Sequence, residues 1–216
     1  MTDRGARACL TAAETQALVA TAHRLADAAR HETLRRFRAT GLRADDKSGD
    51  GQGFDPVTEA DRAAEAAMRA ILAEARPADG VLGEEMGAVT GRSGLTWVLD
   101  PVDGTRAYMA GAPTWGTLIA VGDAAGPLFG VIDQPWTGER WEGGLGHARL
   151  TSPHGARALR TRSGRGGDPL GDALLCSTFP EIGCPAERAA FARVAAAVRI
   201  VRYGLDCYAY GLVAAG

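Results

Sequence analysis

Two aspartates in the middle of the chain, Asp100 and Asp103, are three residues apart and follow directly on an apolar run. The run, residues 97–99, predicts a short buried strand. Pro101 stiffens the turn between the aspartates, so both carboxylates can point to the same side of the strand end. Hard divalent cations bind such sets of fixed oxygen atoms. The pair therefore predicts a metal site, with an ordinary Asp-Pro-Gly turn as the alternative.

The next two residues, Gly104 and Thr105, extend this motif. Their backbone N–H groups can approach an anion closely, as the N–H groups at helix N-termini do. A cation site next to an anion-binding segment indicates phosphate chemistry.

Two further acidic clusters precede this motif. Asp55 comes just before a predicted helix, whose first turn has Thr58 and Asp61 in the spacing of a capping box. These two residues are interpreted as caps only. Glu84 and Glu85 follow a short apolar pair, and because adjacent side chains of an extended segment point in opposite directions, one of them is expected to serve the site.

The three motifs Asp-x-Val-Thr-x-x-Asp, Gly-Glu-Glu and Asp-Pro-x-Asp-Gly-Thr occur in this order along the chain. This order resembles the inositol monophosphatase family of magnesium-dependent, lithium-sensitive phosphatases. The resemblance extends from about Glu14 to the end of the chain. Residues 106–111, 115–120, 130–135 and 206–210 are most similar to the bacterial histidinol-phosphatase branch.

The resemblance implies a set of metal ligands. Glu84 and Asp100 would hold one Mg²⁺ together with the backbone carbonyl of Val102. Asp100 would bridge to a second Mg²⁺, which Asp103 also binds. Glu84 would help to organise a third ion through water. Two or three ions are therefore expected, and Mn²⁺ is expected to substitute for Mg²⁺.

The same resemblance implies catalytic and phosphate-binding residues. Asp55 and Thr105 would orient the attacking water, and Glu84 is counted with them as catalytic. The N–H groups of Gly104 and Thr105 would bind the phosphate. Glu85 is expected to support the site without contacting the metal.

Two residues near the end of the chain, Asp206 and Arg202, are predicted to contact the substrate. By resemblance, Asp206 lies where inositol-specific relatives have a small residue, and its carboxylate can pair with a cationic amine or imidazole. The implied reaction is hydrolysis of L-histidinol phosphate to L-histidinol and phosphate, in histidine biosynthesis. Inositol 1-phosphate, fructose 1,6-bisphosphate and a 3′-phosphonucleotide remain alternatives. Asp206 can also be a cap of a helix that begins near Tyr208.

Composition restricts the classes of partner. The chain has 216 residues, 46% of them hydrophobic, and can bury one sizeable core or two closely packed ones. Its formal net charge of −2 gives no electrostatic argument for a nucleic-acid partner. Neither a signal peptide nor a long apolar span is evident, which predicts a cytoplasmic protein without a membrane partner. By resemblance a homodimer is expected, with apolar residues around Trp115 and Trp136 as its surface if they are exposed.

The predicted elements alternate between helices and strands, which indicates a mixed α/β fold. The resemblance implies a layered α/β/α/β/α sandwich. Helices are predicted from Thr11 to about Ala39, from the capping box of Thr58 and Asp61 to about Ala75, at 186–198 and from about Tyr208. Strands are predicted at residues 81–82, 96–99, 114–121, 128–132, 140–142, 173–177 and 200–201. The polar segment 151–170 predicts a boundary between an N-terminal α+β half with the metal site, 1–150, and an incomplete C-terminal α/β half, 151–216.

Members of the family carry a further metal-binding aspartate downstream, in a Trp-Asp or Tyr-Asp context. The chain ends at Gly216, before such a motif. We therefore expect it to be a truncated form of a longer phosphatase. The alternative is an inactive family member with a binding or regulatory role.

Overall fold

The computed structural model describes residues 10–41, 44–46, 56–163, 170–181 and 183–216. The helices in these ranges are α1 (Ala12–Arg36), α2 (Glu59–Ala75), α3 (Thr105–Ala110), α4 (Pro185–Ala197) and α5 (Asp206–Ala215). The strands there are β1 (Ala44–Asp46), β2 (Pro56–Thr58), β3 (Gly80–Gly83), β4 (Gly87–Val89), β5 (Thr96–Asp103), β6 (Gly116–Asp123), β7 (Gly126–Gln134), β8 (Glu139–Gly144), β9 (His147–Ser152), β10 (Gly155–Ala158), β11 (Leu174–Ser177) and β12 (Ile200–Tyr203). None of these helices combines the length and the apolar character needed to cross a membrane.

One large mixed sheet organises the described part of the chain. Its eight strands lie in the order β10-β9-β8-β7-β6-β5-β3-β4. Neighbouring strands run antiparallel, except for β3 and β5, which are parallel. Two smaller pairs join β1 to β2 in antiparallel fashion and β11 to β12 in parallel fashion. The mixed α/β fold predicted from the sequence is confirmed.

The main core lies between this sheet and the first two helices, since α1 packs against β6 and β7 and α2 packs against β5. Its buried side chains come from both helices and from the central strands, and they include Leu18, Leu25, Met68, Leu72, Trp97, Ile119 and Phe129. Apolar side chains recur at helical spacing along α1 and α2, so each helix presents a continuous apolar stripe to the sheet.

Both core helices begin with the capping boxes that the sequence predicts. At α1, Glu14 N donates to Thr11 Oγ1 at 3.2 Å, and Thr11 N donates to the Glu14 carboxylate at 2.8 Å. At α2, Thr58 N donates to Asp61 Oδ2 at 2.9 Å. These reciprocal bonds satisfy N–H groups that have no acceptor within the helix.

The first helix ends at Arg36, before its predicted end near Ala39. The reason is conformational, because Phe37 has an extended backbone and Arg38 has a φ of 60°. A helix cannot continue through a residue in the left-handed region.

The segment 151–170, predicted as a boundary between two halves, contains strands that were not predicted from the sequence. The end of β9 and all of β10 lie there, joined by a tight turn in which Gly155 has a φ of 115° and Ser152 Oγ donates to Gly155 O at 3.1 Å. The predicted boundary after residue 150 therefore falls inside β9. The large sheet continues to Ala158, and the division into two halves stays a prediction.

The last helix holds the end of the chain against the large sheet. Gly211 of α5 faces the ring of Trp141 on β8, where a Cβ would lie 2.8 Å from a ring carbon. The Tyr208 ring meets the same indole edge-on, with centroids 5.3 Å apart. Because only glycine permits so close an approach, the helix backbone rests directly on the indole.

The tryptophans proposed as a dimer surface differ in exposure. Trp115 is fully buried against Phe37 and Tyr108, so the condition of exposure that the predicted dimer surface carried is not met at this residue. Trp136 is 49% exposed, and the Arg38 guanidinium lies 4.6 Å from the centroid of its ring. Of the two tryptophans, Trp136 alone can contribute its ring to a contact surface.

Candidate active site

The first two predicted ligands lie where β5 loses its regular pairing with β6. Asp100 is opposite Leu118 and Asp103 is opposite Gly116, with a register shift between the two pairs. Such bulges redirect side chains at the end of a strand. The irregular backbone is anchored by Thr117, a fully buried residue whose hydroxyl donates to the carbonyl of Pro101 at 2.8 Å.

Glu84 lies beside Asp100 because of the parallel pairing of β3 with β5. Gly83 is in register with Leu99, and the residues that follow them, Glu84 and Asp100, are both acids. Glu84 N also donates to the Leu99 carbonyl at 3.2 Å, which extends the pairing by one step. Two carboxylates that are 16 positions apart in sequence are thereby brought together at one sheet edge.

Asp100 is the most perturbed of these acids. Burial raises its pKa well above the ordinary aspartate range, and the charge of Glu84, a hydrogen bond with Glu84 and the charge of Asp103 raise it further. Its Oδ1 atom is buried and accepts no hydrogen bond from the described residues. A carboxyl group in this setting is stabilised either by a proton or by a cation.

Asp103 and Asp206 are neighbours, although they are far apart in sequence. Cys207 N donates to Asp103 Oδ2 at 2.6 Å, which ties the first turn of α5 to the end of β5. The Asp206 carboxylate packs on Gly104, where a Cβ would lie 2.8 Å from Asp206 Oδ2. Burial raises the pKa of Asp206, as does the charge of Asp103, while Arg106 lowers it.

Gly104 and Thr105 open the short helix α3. Gly104 has a φ of 81°, a left-handed conformation that favours glycine, and this residue also has to accommodate Asp206. The Thr105 hydroxyl donates to the Val102 carbonyl at 3.1 Å. The carbonyl predicted as a metal ligand therefore already accepts a hydrogen bond from the side chain predicted to orient water.

Asp61 lies near these acids, in addition to the capping role that was predicted for it. It is buried at the start of α2, and burial raises its pKa to about 6, against the opposing effect of its hydrogen bonds with Thr58. Its charge contributes to the raised pKa of Asp100. The sequence contains a signal for this position, because Asp61 shares a helix face with Ala64 and Met68.

We refer to Asp61, Glu84, Asp100, Asp103 and Asp206 as the acidic cluster. Two predicted residues are not placed in it. Arg202 is exposed on β12 and donates to its neighbour's carbonyl, at Val201, at 2.9 Å. Within the described ranges, no hydrogen bond or ion pair joins Arg202 to the acidic cluster. Asp55 lies outside the residues that the structure describes.

The acidic cluster has the donor chemistry of a divalent cation site. Its side chains offer only oxygen atoms, which Mg²⁺ and Mn²⁺ prefer. The buried Asp100 Oδ1 without a hydrogen bond and the contact between the Asp100 and Glu84 carboxyls would both be relieved by positive charge. In the part of the chain that is described, however, no three acidic, imidazole or thiol groups already surround one position as metal ligands. The predicted ligand sets are smaller than that, since each combines two carboxylates or two carboxylates and the Val102 carbonyl, and they stay a prediction.

Comparison with known proteins agrees with the fold and with the motifs. The model of the inositol monophosphatase family matches residues 14–216. The chain therefore belongs to the inositol monophosphatase family, as its motifs indicated. It aligns over 96% of its length with the structure of an inositol monophosphatase from Zymomonas mobilis, at a TM-score of 0.76 and 38% identity, covering 75% of that chain.

Two curated phosphatases are similar to the chain in sequence. A histidinol-phosphatase from Mycobacterium tuberculosis is 38% identical over 192 residues, which is 89% of this chain and 72% of that protein. A chloroplastic bifunctional phosphatase, IMPL2, from Arabidopsis thaliana is 38% identical over 199 residues, which is 85% of this chain and 56% of that protein. The chain thus spans only part of the length of the relatives that it matches.

Proposed function

We propose that this chain forms the catalytic centre of a Mg²⁺-dependent phosphomonoesterase whose substrate is L-histidinol phosphate. The observation that carries the proposal is the position of Asp206, whose carboxylate packs on Gly104 next to Asp103. A carboxylate at that place puts negative charge beside the predicted phosphate-binding segment, where it can pair with a cationic group of the substrate. The similarity to a histidinol-phosphatase supports the same substrate.

The cation would be held by Glu84, Asp100 and Asp103, with the Val102 carbonyl as a further oxygen donor. When bound, Mg²⁺ would supply the positive charge that stabilises the phosphate and acidifies a water molecule. The Asp100 carboxyl has to be ionised for this role, and the charge of a bound cation would favour that form against the effects of burial and of Glu84, which raise its pKa.

Backbone and side-chain groups of the protein would position the remaining reactants. The N–H groups of Gly104 and Thr105 bind the phosphate at the start of α3. The Thr105 hydroxyl, fixed on the Val102 carbonyl, orients the attacking water together with Asp55. Asp61 is a second candidate for this water, because it is the buried acid whose charge reaches Asp100 from α2.

Asp206 would select the substrate by charge. L-Histidinol phosphate carries a cationic amine and an imidazole, each of which can pair with a carboxylate. Inositol 1-phosphate and fructose 1,6-bisphosphate offer only hydroxyl groups and phosphates, so they gain less from Asp206. Arg202 stays a predicted second contact to the substrate.

The proposal also includes a homodimer in the cytoplasm. The exposed ring of Trp136 supports a contact surface. The free thiols of Cys176, Cys184 and Cys207 fit a reducing compartment. Light scattering of the purified chain tests the dimer, and a monomer at micromolar concentration would contradict it. Fractionation of cells that express the protein tests the compartment.

Activity measurements test the main proposal. Phosphate release from L-histidinol phosphate is expected to require Mg²⁺ and to disappear in a chelator. Asp103→Asn and Glu84→Gln are each expected to lower kcat at least about 100-fold, because each removes a charged ligand. Asp172→Asn is the matched control, since that carboxylate is 58% exposed and pairs only loosely with Arg199 at 3.8 Å. Wild-type rates in both site variants at saturating Mg²⁺ would overturn the proposed mechanism.

The substrate is tested separately by a panel of phosphate esters. Asp206→Asn is expected to lower kcat/KM for L-histidinol phosphate by about 10- to 100-fold, the loss of one charge-assisted hydrogen bond. The same variant is expected to leave kcat/KM for inositol 1-phosphate nearly unchanged. More efficient turnover of inositol 1-phosphate than of L-histidinol phosphate by the wild type would overturn the substrate while leaving the mechanism intact.

A further inference from the structure

A buried glutamate on α2, Glu65, contacts the backbone of the turn that follows β3. Its side chain is completely buried. Glu85 N donates to one carboxylate oxygen of Glu65 at 2.7 Å, and Met86 N donates to the other at 3.1 Å. Backbone N–H groups of a turn would otherwise bind water or remain unsatisfied, so this carboxylate serves as the turn's acceptor.

Arg69 completes the contact from the next turn of the same helix. Its Nε donates to Glu65 Oε1 at 2.7 Å, and its Nη2 donates to the carbonyl of Gly87. Glu65 therefore binds the middle of the turn, and Arg69 binds its far end. The pair also neutralises a carboxylate that would be costly to bury alone.

Gly83 provides the space for this arrangement. A Cβ at residue 83 would overlap Glu65 Oε1 and would lie 2.7 Å from Arg69 Nη2. The φ angle at Gly83 does not require glycine, since it is not among the positive values. The reason for glycine at this position is therefore the Glu65 carboxylate, which occupies the place of a side chain.

We propose that Glu65 is the positioning residue for Glu84. The backbone of Glu84 is fixed on one side by its own N–H, which donates to Leu99 O at 3.2 Å. On the other side it is fixed by the next N–H, that of Glu85, which donates to Glu65. The direction of the Glu84 side chain toward Asp100 thus depends on both bonds. This inference rests on the proposed function in so far as Glu84 is a metal ligand.

The variant Glu65→Gln tests the inference, with Mn²⁺ alone as the probe. Glutamine keeps the size of the side chain but has one acceptor oxygen, so one of the two N–H groups loses its partner. Hydrogen exchange at the amides of Glu85 and Met86 is expected to accelerate at least about tenfold. Mn²⁺ affinity, measured by calorimetry, is expected to fall about tenfold, as it does when residues that orient metal ligands are lost. In the activity assay the Mg²⁺ concentration for half-activation should also rise about tenfold. The kcat at saturating Mg²⁺ should stay within about threefold of the wild-type value.

Asp79→Asn is the matched control for loss of a buried, arginine-paired carboxylate. Asp79 accepts hydrogen bonds from Arg76 Nε at 2.6 Å and from Trp97 Nε1 at 3.0 Å. It lies just after the C-terminal end of α2, the helix that carries Glu65. Its loss is expected to lower stability as Glu65→Gln does, without changing Mn²⁺ affinity or exchange at residues 85 and 86. Gly83→Ala, which keeps Glu65 but displaces its carboxylate, is expected to reproduce the Glu65→Gln result.

Asp103→Asn separates failure of this inference from failure of the proposed function. It is expected to lower Mn²⁺ affinity while leaving amide exchange in the turn unchanged. If Asp103→Asn does not lower Mn²⁺ affinity, the proposed metal site is wrong. If Asp103→Asn does lower Mn²⁺ affinity, the result for Glu65→Gln decides the positioning role. That role is overturned if Glu65→Gln leaves Mn²⁺ affinity unchanged, whether or not amide exchange at Glu85 and Met86 accelerates. Should Glu65→Gln fail to fold, Gly83→Ala and Arg69→Met provide the same two measurements.

Discussion

Two parts of the molecule differ sharply in how they are packed. The first, which we call the packed region, consists of α1, α2 and the eight-stranded sheet. Its helices bury apolar stripes against β5, β6 and β7. The second, which we call the C-terminal unit, consists of β11, α4 and β12. In the described structure, α4 has no buried residue, and Leu174 and Ile200 of its strands are 50% and 37% exposed.

The difference indicates where the site obtains its rigidity. The acidic cluster lies on the packed region, apart from Asp206, which begins the helix that follows the C-terminal unit. Groups that have to be held within fractions of an ångström require a well-packed support. Local opening is expected to be easiest where few apolar contacts are buried, so the C-terminal unit should exchange its amide hydrogens faster than α1 and α2.

The largest expected effect comes from a matched pair of substitutions in the two parts. Leu25→Ala removes a side chain that is 0% exposed, whereas Leu174→Ala removes one that is 50% exposed. Leu25→Ala is expected to lower the free energy of unfolding by about 2–5 kcal/mol, because it leaves a cavity in the core. Leu174→Ala is expected to cost less than about 1 kcal/mol. Urea denaturation measures both, and equal losses would show that the C-terminal unit is covered in solution.

A smaller effect concerns the pH dependence of the packed region. Burial raises the pKa of Asp61 from 3.8 to about 6, so the native state holds this proton more tightly than the unfolded chain does. The resulting stabilisation is complete below about pH 4 and is lost as the pH rises through about 6. In a chelator, the free energy of unfolding is expected to lose up to about 3 kcal/mol from this group over that interval.

Asp61→Asn isolates this contribution, since asparagine keeps the acceptor for Thr58 and cannot titrate. The difference in unfolding free energy between wild type and variant is expected to change with pH between about 4 and 6.5. Asp172→Asn, at an exposed carboxylate just before β11, serves as the control and should show no such change. A wild-type pH profile that is parallel to that of Asp61→Asn would show that Asp61 is not buried as the structure has it.

Local signals in the sequence were sufficient for much of the packed region. The capping boxes at Thr11 and Thr58 set the helix starts, because they depend on residues only three positions apart. The apolar run before Asp100 identified β5, and the short apolar pair before Glu84 identified β3. The family resemblance implied that Glu84 and Asp100 hold one ion, and the parallel pairing of β3 with β5 is the structural reason that they lie side by side.

Features that depend on distant contacts could not be found in this way. Glu65 has the sequence context of an ordinary helical glutamate, and its role depends on a turn 20 positions later. Asp61 was predicted as a cap because Thr58 is only three positions away, whereas its proximity to Asp100 depends on how α2 packs on the sheet. The hairpin of β9 and β10 was missed because its second strand is exposed throughout and has no apolar alternation.

The smallest expected effect tests a bond within the packed region against a bond between the segments that flank the two parts, just before β6 and just after β12. The buried hydroxyl of Thr117 donates to Pro101 O at 2.8 Å, whereas the exposed hydroxyl of Thr114 donates to Gly204 O at 2.9 Å. Valine has nearly the same shape as threonine, so Thr→Val removes the donor alone. Thr117→Val is expected to cost about 1–2 kcal/mol of unfolding free energy, because it leaves a buried carbonyl without a partner. Thr114→Val is expected to cost less than about 0.5 kcal/mol, since water can replace its hydroxyl. Urea denaturation again measures both. An equal cost for Thr114→Val and Thr117→Val would mean that water is excluded from the bond to Gly204 as it is from the core. The two parts would then differ less in packing than their exposed surfaces indicate.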